Sequence, residues 1–96
     1  MYGLISKLEV VPGKRDLLIS NLPHGAKGMP GCLSYVVARD VSDADSIWIT
    51  EVWDSSESHK ASLSLPSVQH AMSQGKPLIT KISERIETDP VGAEGL

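Results

Sequence analysis

The segment from Ile47 to Met72 restricts the possible folds of this chain more than any other part of the sequence. It begins with seven residues that favour β-structure and passes directly into a serine-rich segment with helical character. Alternate residues of a strand lie on opposite faces, which places on one face Ile47, Ile49, Glu51 and Trp53 and on the other Trp48, Thr50 and Val52. Both faces carry apolar bulk. We therefore predict a central strand covered by helices on one side and by a further layer, such as a second subunit, on the other.

The segments on either side of this strand predict a small α+β domain. The order strand, helix, strand, strand, helix pair, strand is that of a ferredoxin-like β-α-β-β-α-β sandwich with an antiparallel sheet. The 96 residues form a single domain, 1–96, with 89–96 as a loose tail. Outside the central strand and its helix pair, the pattern predicts strands at 2–11, 32–39 and 78–88, a helix at 14–26 and a hairpin connection at 40–45.

Three local features refine this prediction. Pro23 interrupts the first helix, which either kinks there or ends near Asn21. Asp54 and Glu57 have the spacing of a capping pair for the helix that follows the central strand. Alternation in the last strand places on one face Leu78, Ile82 and Ile86.

The composition excludes several classes of function. The net charge is -3 and the nine basic residues are scattered along the chain, which argues against a nucleic-acid surface. No apolar run approaches the ~20 residues of a membrane span, so we expect no membrane segment. Cys32 is the only cysteine, which rules out an intrachain disulfide and favours a reducing, cytoplasmic location.

The sequence resembles the antibiotic biosynthesis monooxygenase family of dimeric α/β-barrel proteins, in the branch of quinol monooxygenases. The resemblance extends over the whole chain. Its carriers are Pro12-Gly13-Lys14, Met29-Pro30-Gly31-Cys32 followed by Tyr35, Glu51-Val52-Trp53-Asp54-Ser55 leading to His59, Ala61-Ser62-Leu63, and Leu65-Pro66-Ser67-Val68.

This resemblance implies a homodimer in which two sheets close into a barrel, with a pocket between sheet and helices in each subunit. It also implies oxygenation without flavin, haem or metal. Such chemistry requires an electron-rich aromatic substrate, a quinol or an anthrone-like phenol, that reduces O₂ itself once it is deprotonated. The protein then supplies a base, a dry cavity and donors for the developing oxyanion.

The haem-degrading branch of the family relies on an asparagine in the first strand, a tryptophan in the second-helix region and a histidine further along. Alignment on Trp53-Asp54-Ser55 places Ser6, Ser62 and Met72 at these positions. These departures argue against haem cleavage. The three histidines also lack carboxylates at ligand spacing, which argues against a metal site.

His59 is the best candidate for a catalytic base, because an imidazole titrates near pH ~6.5 and because the family resemblance adds support for a catalytic role of this residue. Ser62 lies one turn later on the same helix face and would orient the substrate or the imidazole. The plainer interpretation of His59 is a partly exposed helical histidine, and that of Ser62 is a small residue that permits close packing of the helix on the sheet. Trp53 would form an aromatic wall of the pocket, or simply belong to the core.

Glu51 is costly to bury between Ile49 and Trp53 unless it is paired, protonated or functional. Its structural interpretation, which we favour, is a salt bridge with Arg39 or Lys7. Substrate contacts are also possible for Tyr35 and Arg39, which share a face of their strand, and for His70, a reserve base.

We therefore predict a cytoplasmic, homodimeric, cofactor-independent monooxygenase of a small aromatic quinol. Two alternatives stay open at this point. One is a non-catalytic, stress-associated barrel that binds a small molecule in the same pocket, and the other is an isomerase of the same fold.

Overall fold

The computed structural model describes residues 1–23 and 28–92. Its elements confirm the predicted α+β class and the predicted order of strands and helices. They are β1 (Tyr2–Val10), α1 (Arg15–Asn21), β2 (Cys32–Arg39), β3 (Ser46–Trp53), α2 (Ser56–Ser62), α3 (Pro66–Gly75), a 3₁₀ turn (Lys76–Leu78) and β4 (Ile79–Thr88).

The four strands form one antiparallel sheet in the order β2-β3-β1-β4. The sheet has a helix-covered face and an outer face. The apolar cluster on the covered face contains residues of β1 and β3 together with Leu18 of α1, which is completely buried. Burial of each such side chain contributes about 1.5–3 kcal/mol, so this cluster fixes the helices on the sheet. Its buried members are Leu8, Val10, Leu18, Ile47 and Ile49.

The first helix ends at Asn21, as one of the two predicted alternatives required. Leu22, the residue before Pro23, has the extended backbone that a following proline favours, with φ -93° and ψ 155°. The remainder of the predicted helix includes residues 24–27, which lie outside the described residues, as do residues 93–96 of the predicted tail.

The capping residue of α2 differs from the prediction. The helix begins at Ser56, so its cap is Ser55, whose Oγ accepts a hydrogen bond from the Ser58 backbone N–H at 3.2 Å. Asp54 lies one residue too early to reach that donor. Its backbone N–H instead donates to the carbonyl of Gly31, tying the start of the helix to the loop before β2.

The prediction that Leu78, Ile82 and Ile86 share a face is wrong. Leu78 belongs to the 3₁₀ turn, and the pairing of β4 with β1 shifts register twice. Ile82 lies opposite Leu8 on the covered face, whereas Ile86 lies opposite Ile5 on the outer face. Each extra residue of a bulge reverses the alternation of side chains, which a periodic reading of the sequence does not anticipate.

The outer face of the sheet has no layer of this chain packed on it among the described residues. Val36 and Ile86 on this face expose about half of their surface, at 52% and 47%. Trp48 also lies on this face, and thus on the side of β3 opposite that of Trp53, as the alternation predicted. None of the described helices combines the length and apolar character needed to cross a bilayer.

Candidate functional site

A cavity of about 370 Å³ lies between the covered face of the sheet and the helices. Strands, helices and the loop before β2 all contribute to its wall. Most of the lining is apolar, and the polar side chains among it come mainly from one end. The lining residues are Leu8, Leu22, Pro23, Met29, Tyr35, Glu51, Trp53, His59, Ser62, Leu63, Val68, Ala71, Met72, Gly75, Lys76, Ile79 and Ile82.

Glu51, Trp53 and His59 meet at the polar end of the cavity. The Trp53 indole N–H donates to Glu51 Oε1 at 3.1 Å, because the two residues are neighbours on one face of β3. His59 Nε2 lies 4.0 Å from the same oxygen. That distance is too long for a hydrogen bond, so a hydroxyl group entering the cavity could be shared between the imidazole and the carboxyl group.

Two aromatic rings flank the imidazole of His59. Its ring centroid lies 5.4 Å from that of Trp53 in an edge-on arrangement with an interplanar angle of 70°. On the other side the Tyr2 ring lies at the same centroid distance with an angle of 33°. The Tyr2 hydroxyl donates to Glu87 Oε2 at 2.8 Å, which anchors this ring to the edge strand β4. His59 is consequently only 9% exposed.

Burial dominates the electrostatics of this cluster. It lowers the pKa of His59, and the positive charge of Arg85 lowers it further, while Glu87 acts in the opposite direction. Burial raises the pKa of Glu51, against the opposing effects of the Trp53 hydrogen bond and Arg85. At neutral pH the imidazole is therefore biased towards its neutral form, which can accept a proton.

Tyr35 and Ser62 also reach the cavity. Burial, followed by the charge of Glu51, raises the pKa of Tyr35 far above the neutral range, so its hydroxyl stays protonated and remains a donor. Ser62 Oγ donates to the backbone carbonyl of His59 at 2.6 Å. Its proton is thus engaged within α2, and the hydroxyl oxygen is left as an acceptor.

The structure separates two of the predicted site residues from this cluster. Arg39 does not line the cavity and forms an exposed ion pair with Asp16 at 2.9 Å. His70 lines a second cavity beside the end of α1. Leu22, Val68 and Ala71 contribute to both cavities and so lie between His70 and His59.

The predicted salt bridge of Glu51 with Arg39 or Lys7 is absent among the described residues. Arg39 is engaged by Asp16, and Lys7 lies on the outer face, 3.9 Å from Asp40. Glu51 instead contacts Trp53 and His59 on the covered face. The strand register explains this result, because Glu51 lies opposite Leu4 and Tyr35, neither of which carries a cation.

Sequence reasoning overlooked Tyr2 and Lys76. Tyr2 lies opposite Trp53 in the pairing of β1 with β3, so a correct register would have placed it beside the candidate site. Lys76 lies between Gly75 and Pro77, a pattern typical of the end of a helix. No local pattern distinguishes a lysine that lines a cavity from one that simply follows a helix.

An antiparallel sheet with helices on one face defines a ferredoxin-like protein. Its apolar cavity, with an acid–imidazole cluster at one end, is the candidate binding site of this fold. The sequence model of the antibiotic biosynthesis monooxygenase family matches residues 1–74. The chain belongs to this family.

Solved structures agree with this assignment. A protein from Chloroflexus aurantiacus, provisionally named an antibiotic biosynthesis monooxygenase, is 65% identical, with 98% of this chain and 96% of that chain covered and a TM-score of 0.93. Proteins with the same provisional name from Deinococcus radiodurans (26% identity, 100% and 98% covered, TM-score 0.75) and Caulobacter crescentus (21%, 95% and 90%, 0.81) are more distant, and the last supports the fold alone. None of the curated proteins searched matches this chain.

Proposed function

We propose that this protein is a cofactor-independent monooxygenase that oxidises a small electron-rich aromatic, a quinol or an anthrone-like phenol, with O₂. The observation that carries the proposal is the buried His59, biased towards its neutral form and facing an otherwise apolar cavity beside Glu51. A neutral imidazole in a dry site is a suitable base for a phenol, and the apolar walls suit an aromatic ring.

In the proposed reaction, His59 Nε2 removes a proton from the substrate hydroxyl. Glu51, 4.0 Å away, favours the imidazolium when its own carboxyl group is ionised, because an opposite charge at this distance stabilises it in a poorly solvated site. Trp53 holds the Glu51 carboxyl group through its indole N–H. Tyr35 donates a hydrogen bond to the oxyanion that develops on the substrate.

The deprotonated substrate then supplies the electrons. One electron passes to O₂, and the resulting pair of radicals combines to form a carbon–oxygen bond at a ring carbon. The imidazolium of His59 returns its proton to the peroxide, and loss of the hydrogen on that ring carbon breaks the O–O bond with release of water. For a hydroquinone the balance is quinol plus O₂ giving hydroxyquinone plus H₂O, with one oxygen atom in each product.

Two further elements belong to this proposal. The first is a homodimer in which the outer sheet faces of two copies pack together, which the half-exposed Val36 and Ile86 on that face support. Covering such apolar surface contributes roughly 25 cal/mol per Å². The second is a cytoplasmic location, supported by the single free cysteine, Cys32, which suits a reducing compartment.

The test is oxygen uptake by the chelator-treated protein with a panel of hydroquinones and anthrone-like phenols, corrected for uncatalysed autoxidation. We expect His59→Ala to lower the protein-dependent rate by roughly 10²-fold or more, the range typical of a lost general base. His70→Ala is the matched control, because His70 lies in the other cavity, and it should retain the wild-type rate.

Full activity of His59→Ala would remove this residue from the mechanism. A binding protein would instead be favoured if no member of the panel caused protein-dependent oxygen uptake while one of them raised the melting temperature. Conversion of a ligand without oxygen consumption would favour an isomerase.

A further inference from the structure

The charged side chains that line the cavity lie at its two ends. Glu51 is the only carboxylate and Lys76 the only lysine or arginine among the described lining residues. Glu51 lies opposite Leu4 of β1, whereas Ile79, which follows the turn containing Lys76, lies opposite Val10. Six residues along a strand span about 20 Å. The backbone positions that carry the two groups are therefore well separated along the sheet, so the polar cluster and the lysine approach the cavity from different ends.

The backbone of Lys76 is firmly placed. Its N–H donates to the Met72 carbonyl as α3 ends. The preceding residue, Gly75, packs so closely on α1 that an added Cβ would lie 3.0 Å from Leu18 Cδ1. Leu18 is itself fully buried, so the helix end that carries Lys76 is fixed against the core. The exposed length of the side chain can then extend over the cavity from a rigid base.

Lys76 has no carboxylate within 4.0 Å among the described residues. The lining residues on either side of it along the chain include Met72 and Ile79, which are apolar. A charged ammonium group at the rim of an apolar cavity favours a ligand that brings its own anion. One lysine without a second cation matches the single charge of a carboxylate better than the double charge of a phosphate ester.

We propose that Lys76 forms a carboxylate-binding subsite of this cavity, which orients an acidic aromatic ligand with its hydroxyl group towards His59 and Glu51. The identity of the ligand as a phenol rests on the proposed function. The orientation follows from the charges at the two ends. Lys76 attracts a carboxylate at its own end, where no acidic side chain lines the cavity, whereas at the polar end a ligand carboxylate would face the carboxyl group of Glu51, whose charge Arg85 offsets only in part. A neutral hydroxyl group is the part of such a ligand that the polar end accepts.

The test compares an acid with its neutral isostere, 6-hydroxy-2-naphthoate and the methyl ester of the same acid, by calorimetric titration in oxygen-free buffer. Wild-type protein should bind the acid roughly fivefold more tightly than the ester, the scale of a partly exposed ion pair. The preference should shrink as salt is raised from about 0.05 to 0.5 M, because added ions screen an exposed pair.

Three variants locate the effect. Lys76→Gln should remove the preference for the acid and leave ester affinity unchanged, and Lys76→Arg should restore the preference. Lys81→Gln is the control, because Lys81 lies opposite Glu9 on the outer face, and it should behave as wild type. Melting temperatures of all variants, measured without ligand, detect any loss of folding.

Three results would each overturn the subsite. The wild type could bind acid and ester with equal affinity, the preference for the acid could persist in Lys76→Gln, or that variant could lose affinity for both ligands equally. The outcome is separable from that of the proposed function. A preference that depends on Lys76, found in a protein without oxygen uptake, supports the subsite and rejects the monooxygenase. Oxygen uptake that depends on His59, in a protein without any preference for the acid, supports the monooxygenase and rejects the subsite.

Discussion

The two tryptophans of β3 place the same chemical contact in two different environments. Each indole N–H donates to a carboxylate, Trp53 to Glu51 at 3.1 Å on the covered face and Trp48 to Asp40 at 2.8 Å on the outer face. The pKa of Glu51 is nevertheless raised, by burial, whereas hydrogen bonds from Trp48 and two backbone N–H groups lower the pKa of Asp40 to about 2.

The difference shows that one hydrogen bond does not decide the charge of a carboxyl group. Asp40 remains partly exposed and accepts from the backbone of residues 42 and 43 as well as from Trp48, with the ammonium group of Lys7 at 3.9 Å. Glu51 has lost most of its solvation, and its only hydrogen bond from a described residue comes from Trp53. The covered face therefore contains a carboxyl group whose pKa burial raises above its ordinary value, and such shifts are common in functional sites.

The largest difference in stability between the two faces should appear when each tryptophan is replaced by phenylalanine. Trp53→Phe leaves the buried Glu51 without its donor and removes part of a side chain that is only 1% exposed, so we expect a loss of about 2–4 kcal/mol in the free energy of unfolding. Trp48→Phe should cost under about 1 kcal/mol, because Asp40 keeps its backbone donors and its solvent contact. Urea denaturation measures both, and equal losses would contradict the contrast between the two faces.

Removing the charge of each carboxyl group should change the free energy of unfolding in opposite directions for Glu51 and Asp40. The pKa of folded Glu51 lies above its ordinary value, so wild type loses stability as the pH rises through that folded pKa. Glu51→Gln keeps an acceptor for Trp53 and avoids this loss, and it should be more stable than wild type at pH 8 and similar to it at pH 4.

Asp40→Asn should behave in the opposite way. The folded pKa of Asp40, about 2, lies below its ordinary value, so its contribution is present above pH 3.8 and is lost as the pH falls towards 2. The variant should be less stable than wild type at pH 7, and the difference should vanish near pH 2. Denaturation curves across this range check both variants, and a shared sign at neutral pH would refute the comparison.

The smallest effect concerns Tyr2, the second ring beside His59. Tyr2→Phe keeps the ring and removes only its exposed bond to Glu87, so the free energy of unfolding should change by under about 1 kcal/mol. A less firmly held ring admits water to His59, and the pKa of His59 should rise towards 6.5. Titration of the imidazole signals by NMR measures this shift. Lys7→Gln, on the outer face, should leave that titration unchanged, and an unchanged titration in Tyr2→Phe would show that the anchor is unimportant.

Much of the fold follows from local sequence signals. Alternation along β3 predicted correctly which residues share each face, and Pro23 pointed to one of two outcomes for α1, of which the structure has the end at Asn21. The bulges of β4 could not be predicted in this way, because register depends on pairing with β1 rather than on any motif in β4. For the same reason Ile82 reached the cavity and Ile86 did not.

Sequence patterns alone were sufficient to predict the class of the fold, the family, and an imidazole and a carboxyl group on neighbouring elements. The packing of the folded chain was needed to show that Glu51 contacts His59 and Trp53 rather than Arg39 or Lys7, that Tyr2 completes this cluster, and that Lys76 reaches the same cavity from the end of α3. The physical reason is that periodicity assigns a residue to a face, whereas its partners and its solvation depend on strand register and on the packing of segments distant in sequence.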